Sequence, residues 1–309
     1  MLFILIGIQG STKSTFGRDL KDSDSILISR DEEGGSISNL LPLVQKNLSE
    51  GKTVILDNTN LTVEVRKPFI QLAKSLKKEV HAVFMDSPAE DCQIRVLHRM
   101  YKKHGQVFLT GKADFKDPHI FPVAVLFAAR KSLEKPTSEE GFNSIKVVKV
   151  PSPSFKENKN KALFLDIDGT LRATEHLPYK YPTEEDQVTL IADAAKMKTK
   201  LESYIKDGYR LVGVSNQSGC HKNILTEEKA TSIFNRTKEL IGIDFPILFC
   251  PHSAMSTCYC RKPQSGMAMK MIEEWQLDPT QCIMVGDRTT DKTFAQRLKM
   301  KYISVEKFW

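Results

Sequence analysis

The stretch ALFLDIDGTL, residues 162–171, decides the fold of the second half of this chain. Four apolar residues are followed at once by Asp166 and Asp168, two positions apart. An apolar run with such an abrupt polar end predicts a buried strand that enters a loop. Two carboxylates at this spacing can face one pocket, where one attacks phosphorus and the other exchanges a proton with the leaving oxygen.

Two later apolar runs end in polar residues in the same way. RLVGVSNQ, residues 210–217, contains Ser215, and CIMVGD, residues 282–287, ends in Asp287. In an open parallel sheet, the carboxyl ends of the strands line the crevice where ligands bind. We therefore expect these side chains to converge on the pocket of Asp166.

The DxDGT pattern resembles the first motif of the haloacid-dehalogenase-like phosphatases, and the other motifs follow in that family's order. The resemblance implies that Asp166 becomes an aspartyl-phosphate and that Asp168 is general acid and then base. It also implies that Ser215 hydrogen-bonds the phosphoryl group and that Lys262 neutralises its charge. Mg²⁺ is then expected on Asp166, Asp168 and Asp287, with Asp291 as a weaker supporting ligand.

Between these runs lies a loop rich in cysteine, CPHSAMSTCYCRKPQSGM, residues 250–267. Its spacing C-x-H-x5-C-x-C predicts a closed, structural Zn²⁺ site on Cys250, His252, Cys258 and Cys260. The alternative is a set of buried structural cysteines beside a chance histidine. The loop resembles that of histidinol-phosphate and heptose-bisphosphate phosphatases. After NQSG, however, Cys220 to Asn223 replace their glycine and arginine turn, so their substrate does not carry over.

The first half of the chain alternates short apolar runs with helix-like stretches, which predicts a parallel sheet wrapped by helices. After the first run comes GIQGSTKST, close to the P-loop pattern G-x-x-x-x-G-K-[ST]. Lys13 is expected to reach the outer phosphates of ATP and Ser14 to bind Mg²⁺. Thr12 replaces a glycine, and a β-branched residue there implies strain. The residues expected to hold ATP are Gly7, Gly10, Ser11, Thr12, Lys13, Ser14 and Thr15.

Other polar residues fit a kinase. Asp31, after the second run, can accept a proton from an attacking hydroxyl. Asp57 and Asn60, after the third run, are candidates for binding a substrate or the metal. Arg95 and Arg99 share one face of a predicted helix and are candidates to clamp the phosphates of ATP, although such pairs also occur on solvated faces.

This combination resembles the phage polynucleotide kinase-phosphatases, which join a P-loop 5′-kinase to a 3′-phosphatase in this order. The segment at 151–161, PSPSFKENKNK, has two prolines, polar residues and no apolar periodicity, which predicts a linker between a P-loop kinase domain at 1–150 and a phosphatase domain at 162–309. The fold class is then α/β, with two mainly parallel sheets flanked by helices. After Asp31 the chain has Glu32, Glu33 and glycines where that family often has an arginine, which leaves acceptor recognition open.

The expected function is the healing of DNA or RNA ends with ATP, Mg²⁺ and structural Zn²⁺, followed by the action of a ligase. Composition agrees with a cytoplasmic protein, or one of the host cytoplasm if phage-encoded, since 40% of residues are hydrophobic, 27% are charged and no run is long enough for a membrane span. The net charge of +7 suits a polyanionic substrate but also an ordinary solvated surface. Two alternatives stay open: a phosphatase for sugar phosphates or histidinol phosphate fused to a metabolite kinase, and a regulator that only binds ATP.

Overall fold

The computed structural model describes residues 1–34, 36–113 and 116–309, which form two compact units. The first unit comprises Met1–Val96 and Lys116–Pro153, and the second comprises Leu97–Phe115 and Ser154–Trp309. The described residues 97–113 thus group with the second unit, while the domain bounds expected from the sequence stay a prediction. Each unit contains its own sheet.

The sheet of the first unit has five parallel strands in the order β2-β3-β1-β4-β5. Strand β1 lies in the centre because the chain passes first to one side of it and then to the other. This is the topological switch point at which α/β sheets bind ligands. The strands are β1 Leu2–Ile6, β2 Ser25–Ser29, β3 Thr53–Asp57, β4 Val80–Asp86 and β5 Ser144–Lys149.

Helices cover this sheet with apolar side chains, and the core between them contains Leu48, Phe69 and Leu56. The α-helices that begin in this unit are α1 Lys13–Leu20, α2 Arg30–Glu33, α3 Leu40–Ser49, α4 Val63–Ser75, α5 Ala89–His104 and α6 Val123–Ser132. Short 3₁₀ turns lie at Ile37–Asn39 and Ser138–Glu140.

The second sheet is also parallel, in the order β10-β9-β6-β7-β8. Its central strand is β6, which ends immediately before Asp166. The strands are β6 Lys161–Leu165, β7 Tyr209–Asn216, β8 Ile247–Cys250, β9 Ile283–Gly286 and β10 Lys301–Ser304. The predicted fold class, two parallel sheets flanked by helices, is therefore confirmed.

The helices of the second unit pack around a core that includes Leu163, Met197 and Phe234. They are α7 Ala194–Lys206, α8 Ser218–His221, α9 Glu227–Ile241, α10 Gly266–Trp275, α11 Thr289–Arg297 and α12 Val305–Phe308. Short 3₁₀ turns lie at Glu185–Gln187 and Pro279–Gln281. Among the helices of the described ranges, none is long and apolar enough to cross a membrane.

The segment expected to be a linker is partly fixed to the second unit. The side chain of Asn158 donates to the carbonyl of Leu277 at 2.9 Å, and that of Asn160 donates to the carbonyl of Trp275 at 2.7 Å. Strand β6 begins at Lys161. These residues therefore form the entrance to the second sheet.

Candidate active sites

The carboxyl edge of the second sheet brings the predicted phosphatase residues together. Asp166 follows β6, Ser215 lies near the end of β7 and Asp287 follows β9. They line one cavity of about 920 Å³ together with Asp168, Lys262 and Asp291. Residues more than a hundred positions apart in the sequence thus surround one volume.

Lys262 is buried between two carboxylates of this cavity. Its Nζ lies 2.5 Å from Oδ1 of Asp166 and 2.8 Å from Oδ1 of Asp291, and it also donates to the Val214 carbonyl at 2.8 Å. Burial disfavours the ammonium, but Asp166 and Asp291 outweigh it and raise the pKa of Lys262. Lys262 therefore stays positively charged at the point where a phosphoryl group needs charge.

Asp166 lies in a site that disfavours its charged form. Burial raises the pKa of Asp166 to about 8, although Lys262 acts in the opposite direction. A carboxylate with a raised pKa needs more positive charge nearby before it can serve as a nucleophile near neutral pH. The residues around it fit a divalent cation for this purpose.

Three carboxylates form the candidate cation site. Asp166, Asp287 and Asp291 each offer an oxygen, and these oxygens lie within 4.8 Å of one another. Oxygen donors of this kind suit Mg²⁺, and three carboxylates beside one lysine leave negative charge for it to balance. Asp291, expected only as a supporting ligand, belongs to this group, whereas the carboxylate of Asp168, which was also expected to bind the metal, does not.

The carboxylate of Asp168 is instead held by two donors that the sequence analysis missed. Arg172 Nε donates to Oδ1 at 2.7 Å, and Gln217 Nε2 donates to Oδ2 at 2.6 Å and to Ser215 Oγ at 2.9 Å. Arg172 is buried, and its Nη1 donates to Thr237 Oγ1 at 3.2 Å. Arg172 and Gln217 stand close to the motifs in sequence, but only the fold shows that both point at Asp168.

Two further residues without catalytic groups shape this site. Asn216 holds the backbone of Lys262, since its Oδ1 accepts from the Lys262 N–H at 2.9 Å and its Nδ2 donates to the Lys262 carbonyl at 3.1 Å. Gly169 has φ +84°, and a Cβ there would lie 2.4 Å from Oδ2 of Asp287. Glycine at position 169 therefore lets Asp287 approach the loop that carries Asp166 and Asp168.

The four predicted zinc ligands also come together. The Sγ atoms of Cys250 and Cys258 are 3.7 Å apart, and Nδ1 of His252 lies 3.5 Å from Cys250 Sγ and 3.3 Å from Cys260 Sγ. A tetrahedral site with metal–sulfur bonds of about 2.3 Å places its sulfur atoms about 3.8 Å apart. The cluster therefore has the donor set and the spacing of a closed tetrahedral metal site.

In the first unit, the predicted P-loop connects β1 to α1. Gly10 has φ +78°, and a Cβ there would lie 2.5 Å from the backbone oxygen of Cys92. Lys13 is buried, and its Nζ donates to the Ile8 carbonyl at 2.8 Å. Ser14 lies in the first turn of α1, where backbone N–H groups point towards an anion. The loop therefore has the arrangement that cradles phosphates.

Thr12 lies in the left-handed region, with φ 67° and ψ 16°, immediately before α1. This region is unfavourable for a β-branched side chain. The chain therefore keeps the backbone path that a glycine would take, at the expense of local strain.

The remaining kinase candidates have different surroundings. Asp31 is exposed on α2, and Asp57 is buried at the end of β3, in register with Leu5 and Ser29 at the P-loop edge of the sheet. Asn60 is fully buried, and its Nδ2 donates to the Leu5 carbonyl at 2.8 Å. Asn60 therefore connects the end of β1 to the loop after β3, which is a structural role.

The two arginines of α5 fall in different units. Arg95 Nη1 donates to the Gly10 carbonyl at 3.1 Å and to Ser87 Oγ at 3.0 Å, and its Nη2 donates to the Pro151 carbonyl at 2.6 Å, which fixes it against the P-loop. Arg99 falls in the second unit. Burial raises the pKa of Tyr259, and the charge of Arg99 partly offsets this. A kinase role for Arg99 stays a prediction.

The fold and the first site are those of a phosphatase domain joined to a P-loop domain. Comparisons with known proteins agree. The family "Polynucleotide kinase 3 phosphatase" matches residues 161–309, and an AAA-domain family matches residues 32–118. The chain belongs to the haloacid-dehalogenase-like phosphatases and carries this domain together with a P-loop kinase-like domain.

Its relatives include phosphatases of small molecules. The chain is 34% identical to a probable D-glycero-D-manno-heptose-1,7-bisphosphate 7-phosphatase of Thermoplasma volcanium, over 46% of this chain and 96% of that protein. It is 36% identical to the corresponding phosphatase of Haemophilus influenzae, over 43% of this chain and 73% of that protein. It is 34% identical to the histidine biosynthesis bifunctional protein HisB of Actinobacillus pleuropneumoniae, over 44% of this chain and 37% of that protein. These relatives come from cellular organisms, so they give the expected phage origin no support.

Two solved structures each resemble about half of this chain. A heptose-bisphosphate phosphatase from B. bronchiseptica with magnesium and phosphate covers 47% of this chain and 79% of its own, with a TM-score of 0.40 and 20% identity. The structure of Kti12 of Chaetomium thermophilum with ADP-AlF₃ matches 48% of this chain and 89% of its own chain, with a TM-score of 0.38 and 15% identity.

Proposed function

We propose that this chain heals nucleic-acid ends by phosphorylating 5′-hydroxyls with ATP and by removing 3′-phosphates. The observation that carries the proposal is the match of the polynucleotide 3′-phosphatase family to residues 161–309, which contain the whole site from Asp166 to Asp291. The P-loop of the other unit supports the kinase part. The products are the 5′-phosphate and 3′-hydroxyl ends of DNA or RNA that a ligase joins, so a ligase would act next.

In the phosphatase reaction, an Asp166 oxygen attacks phosphorus while the bond to the leaving 3′-oxygen breaks. Asp168 donates a proton to that oxygen, and an aspartyl-phosphate forms. Asp168 then takes a proton from water, whose oxygen attacks phosphorus, and Asp166 and inorganic phosphate are released. Lys262 and the hydroxyl of Ser215 stabilise the phosphoryl oxygens throughout.

Two metals fit the phosphatase unit. Mg²⁺ held by Asp166, Asp287 and Asp291 would supply positive charge for the nucleophile and the phosphoryl group. Zn²⁺ held by the cysteine and histidine cluster would have all four positions filled by protein, so its role is structural. It would stabilise the loop that leads to Lys262.

In the kinase reaction, the P-loop N–H groups and Lys13 hold the phosphates of ATP, and Ser14 would hold Mg²⁺. Asp31 accepts the proton of the 5′-hydroxyl as its oxygen attacks the γ-phosphorus and the bond to ADP breaks. Asp57, at the same edge of the sheet, is placed to support the metal or the acceptor. Arg95 acts indirectly, by holding the backbone of Gly10.

The test uses one oligonucleotide with a 5′-hydroxyl and a 3′-phosphate, incubated with ATP and magnesium. We expect a 5′-phosphate and a 3′-hydroxyl. Lys13→Ala should abolish only the first change and Asp166→Asn only the second. If the wild type changes neither end, the proposal is wrong, and if Asp166→Asn keeps full phosphatase turnover, Asp166 is not the nucleophile.

A second candidate function is the hydrolysis of a sugar phosphate or histidinol phosphate, which the identities of 34–36% to such phosphatases favour. The same enzyme preparation discriminates between the two. A kcat/KM on heptose 1,7-bisphosphate or histidinol phosphate far above that on 3′-phosphorylated oligonucleotides would favour this alternative.

A further inference from the structure

The mouth of the phosphatase cavity carries two tyrosines that the reaction described above does not use. Tyr179 and Tyr181 line the cavity, and their rings stack with centroids 5.9 Å apart and planes 24° apart. Tyr179 is 52% exposed, an unusual position for a large aromatic side chain. The pair therefore presents an aromatic face to a ligand at the mouth.

The position of this pair is set by the loop that follows β7. The ring of Tyr181 rests on Gly219, where a Cβ would lie 2.7 Å from the Tyr181 oxygen. Gly219 belongs to α8, which comes two residues after Asn216, the residue that holds Lys262. The aromatic face thus rests on the helix that directly follows the strand end holding Lys262.

Basic side chains line the mouth beside the tyrosines. Four of them contribute to the cavity wall in addition to Lys262, namely Lys180, Lys222, Arg261 and Arg288. Lys180, Lys222 and Arg288 are exposed. These four side chains lie outside the group formed by Lys262 and the three carboxylates that surround the reacting phosphate. The further cations therefore fit a substrate with additional phosphates outside the catalytic centre.

We propose that Tyr179 and Tyr181 stack on the terminal base of a single-stranded 3′ end while the basic side chains hold the neighbouring phosphodiester. Aromatic faces beside a cationic groove are how proteins bind single-stranded nucleic acid without reading its sequence. Unpaired terminal bases can leave the stack of their own strand and lie on such a face, so we expect the site to prefer single-stranded ends. This inference rests on the proposed 3′-phosphatase function and names the form of its substrate.

The first test compares two 3′-phosphorylated oligonucleotides that differ only in the terminal nucleotide, which carries a base in one and is abasic in the other. We expect the wild type to prefer the base-bearing substrate by about tenfold in kcat/KM, mainly through KM. Tyr179→Ala should reduce this preference to about one, and Tyr179→Phe should keep it. A general folding defect would lower both rates equally and leave the ratio unchanged.

The second test concerns charge. Lys222→Ala should raise KM for the oligonucleotide. It should also make the dependence of log KM on log salt concentration less steep, with a slope about 0.7 smaller for one lost phosphate contact. Lys196→Ala is the matched control, because Lys196 is exposed on α7 and does not line this cavity. Equal behaviour of the two lysine variants would overturn the role of the basic mouth.

The outcomes separate the two proposals. If the wild type hydrolyses no 3′-phosphorylated oligonucleotide, the proposed function fails and the inference fails with it. If it does hydrolyse them, but Tyr179→Ala keeps the preference for the base, only the stacking inference is overturned. If Tyr179→Ala instead impairs only the hydrolysis of a sugar bisphosphate, the tyrosines bind a sugar ring and the inference is wrong.

Discussion

Thr12 shows at the scale of one residue how the P-loop tolerates a missing glycine. Its left-handed backbone is unfavourable for an L-amino acid by about 1–2 kcal/mol, and glycine lacks this penalty. We expect Thr12→Gly to stabilise the first unit by about 1 kcal/mol, since the greater entropy of glycine in the unfolded chain offsets part of the gain. Urea unfolding of the full chain measures this.

The matched control for Thr12 is Thr15→Gly, because Thr15 is exposed inside helix α1. Glycine in a helix interior lowers stability by about 0.5–1 kcal/mol relative to alanine. The two substitutions should therefore act in opposite directions. Destabilisation by both would show that residue 12 is not strained.

Arg172 is a positioning residue for the proposed proton donor. It contacts the Asp168 carboxylate at 2.7 Å from a buried position, so Arg172→Met should leave Asp168 held by Gln217 alone. An alkyl phosphate needs a proton on its leaving oxygen, whereas p-nitrophenyl phosphate has a leaving group that does not. We expect kcat on the alkyl ester to fall about tenfold more than on the aryl ester, within the range of general acid catalysis.

The ratio of the two rates distinguishes positioning from packing. Gln217→Leu should change the ratio in the same direction, because Gln217 donates to the other oxygen of Asp168. If Arg172→Met lowers both rates by the same factor, Arg172 only supports the fold.

At the scale of elements, Arg66 fixes helix α4 to the loop that follows β3. It is fully buried, pairs with Glu140 through two hydrogen bonds of 2.7 and 2.6 Å, and donates to the carbonyls of Asn60, Leu61 and Glu134. Removing one partner of a buried ion pair leaves the other charge uncompensated. We expect Arg66→Met to destabilise the first unit by about 3–5 kcal/mol in urea unfolding.

Lys67→Met is the control for this prediction, since Lys67 is the exposed neighbour of Arg66 on the same helix. Exposed substitutions of this kind change stability by about 0.5 kcal/mol or less. A similar effect of both substitutions would contradict the anchoring role of Arg66.

The cysteine-rich loop is the second case at this scale. Ala254 and Ser256, which lie between the proposed metal ligands, line the mouth of the phosphatase cavity. If the loop binds zinc, the purified protein contains about one equivalent per chain. Cys258→Ser should then lose the metal and raise KM for the phosphatase substrate, as elemental analysis and kinetics can show.

Cys220→Ser is the matched control, because Cys220 lies in the same unit but outside the metal-ligand cluster. It should retain one equivalent of metal. Wild-type protein with intact thiols and no bound metal would contradict the zinc proposal directly.

At the scale of the whole molecule, charge should govern the choice between substrates. The chain carries a net charge of +7, and basic side chains surround the phosphatase cavity. We expect kcat/KM for a 3′-phosphorylated oligonucleotide to fall steeply as salt rises, because each neutralised phosphate releases counterions. The same measurement with p-nitrophenyl phosphate should show little change, and equal salt dependence would argue against a polyanionic substrate.

The two parallel sheets were predictable from the sequence where strands are long, apolar and buried. Strands β1, β3 and β6 coincide closely with apolar runs. Strand β5, SIKVVK, was not predicted because two lysines interrupt its apolar residues, and β10, KYIS, was not predicted because only two of its four residues are hydrophobic. Strand β8, ILFC, was also missed: it has four residues like β9, but three of them are only partly buried, whereas all of β9 is buried.

The sequence by itself determined the class of chemistry. The P-loop and the cysteine cluster are recognised from residue spacing within a short segment, and Asp166 and Lys262 from the order in which the phosphatase motifs follow one another along the chain. Only the tertiary structure decided how these groups are oriented. It turned Asp168 away from the cation ligands towards Arg172 and Gln217, fixed Arg95 to the P-loop and brought Tyr179 to the cavity mouth. The physical reason is that hydrogen bonds and charge pairs between distant segments depend on where the sheets bring their strand ends together, and spacing along the chain does not specify this.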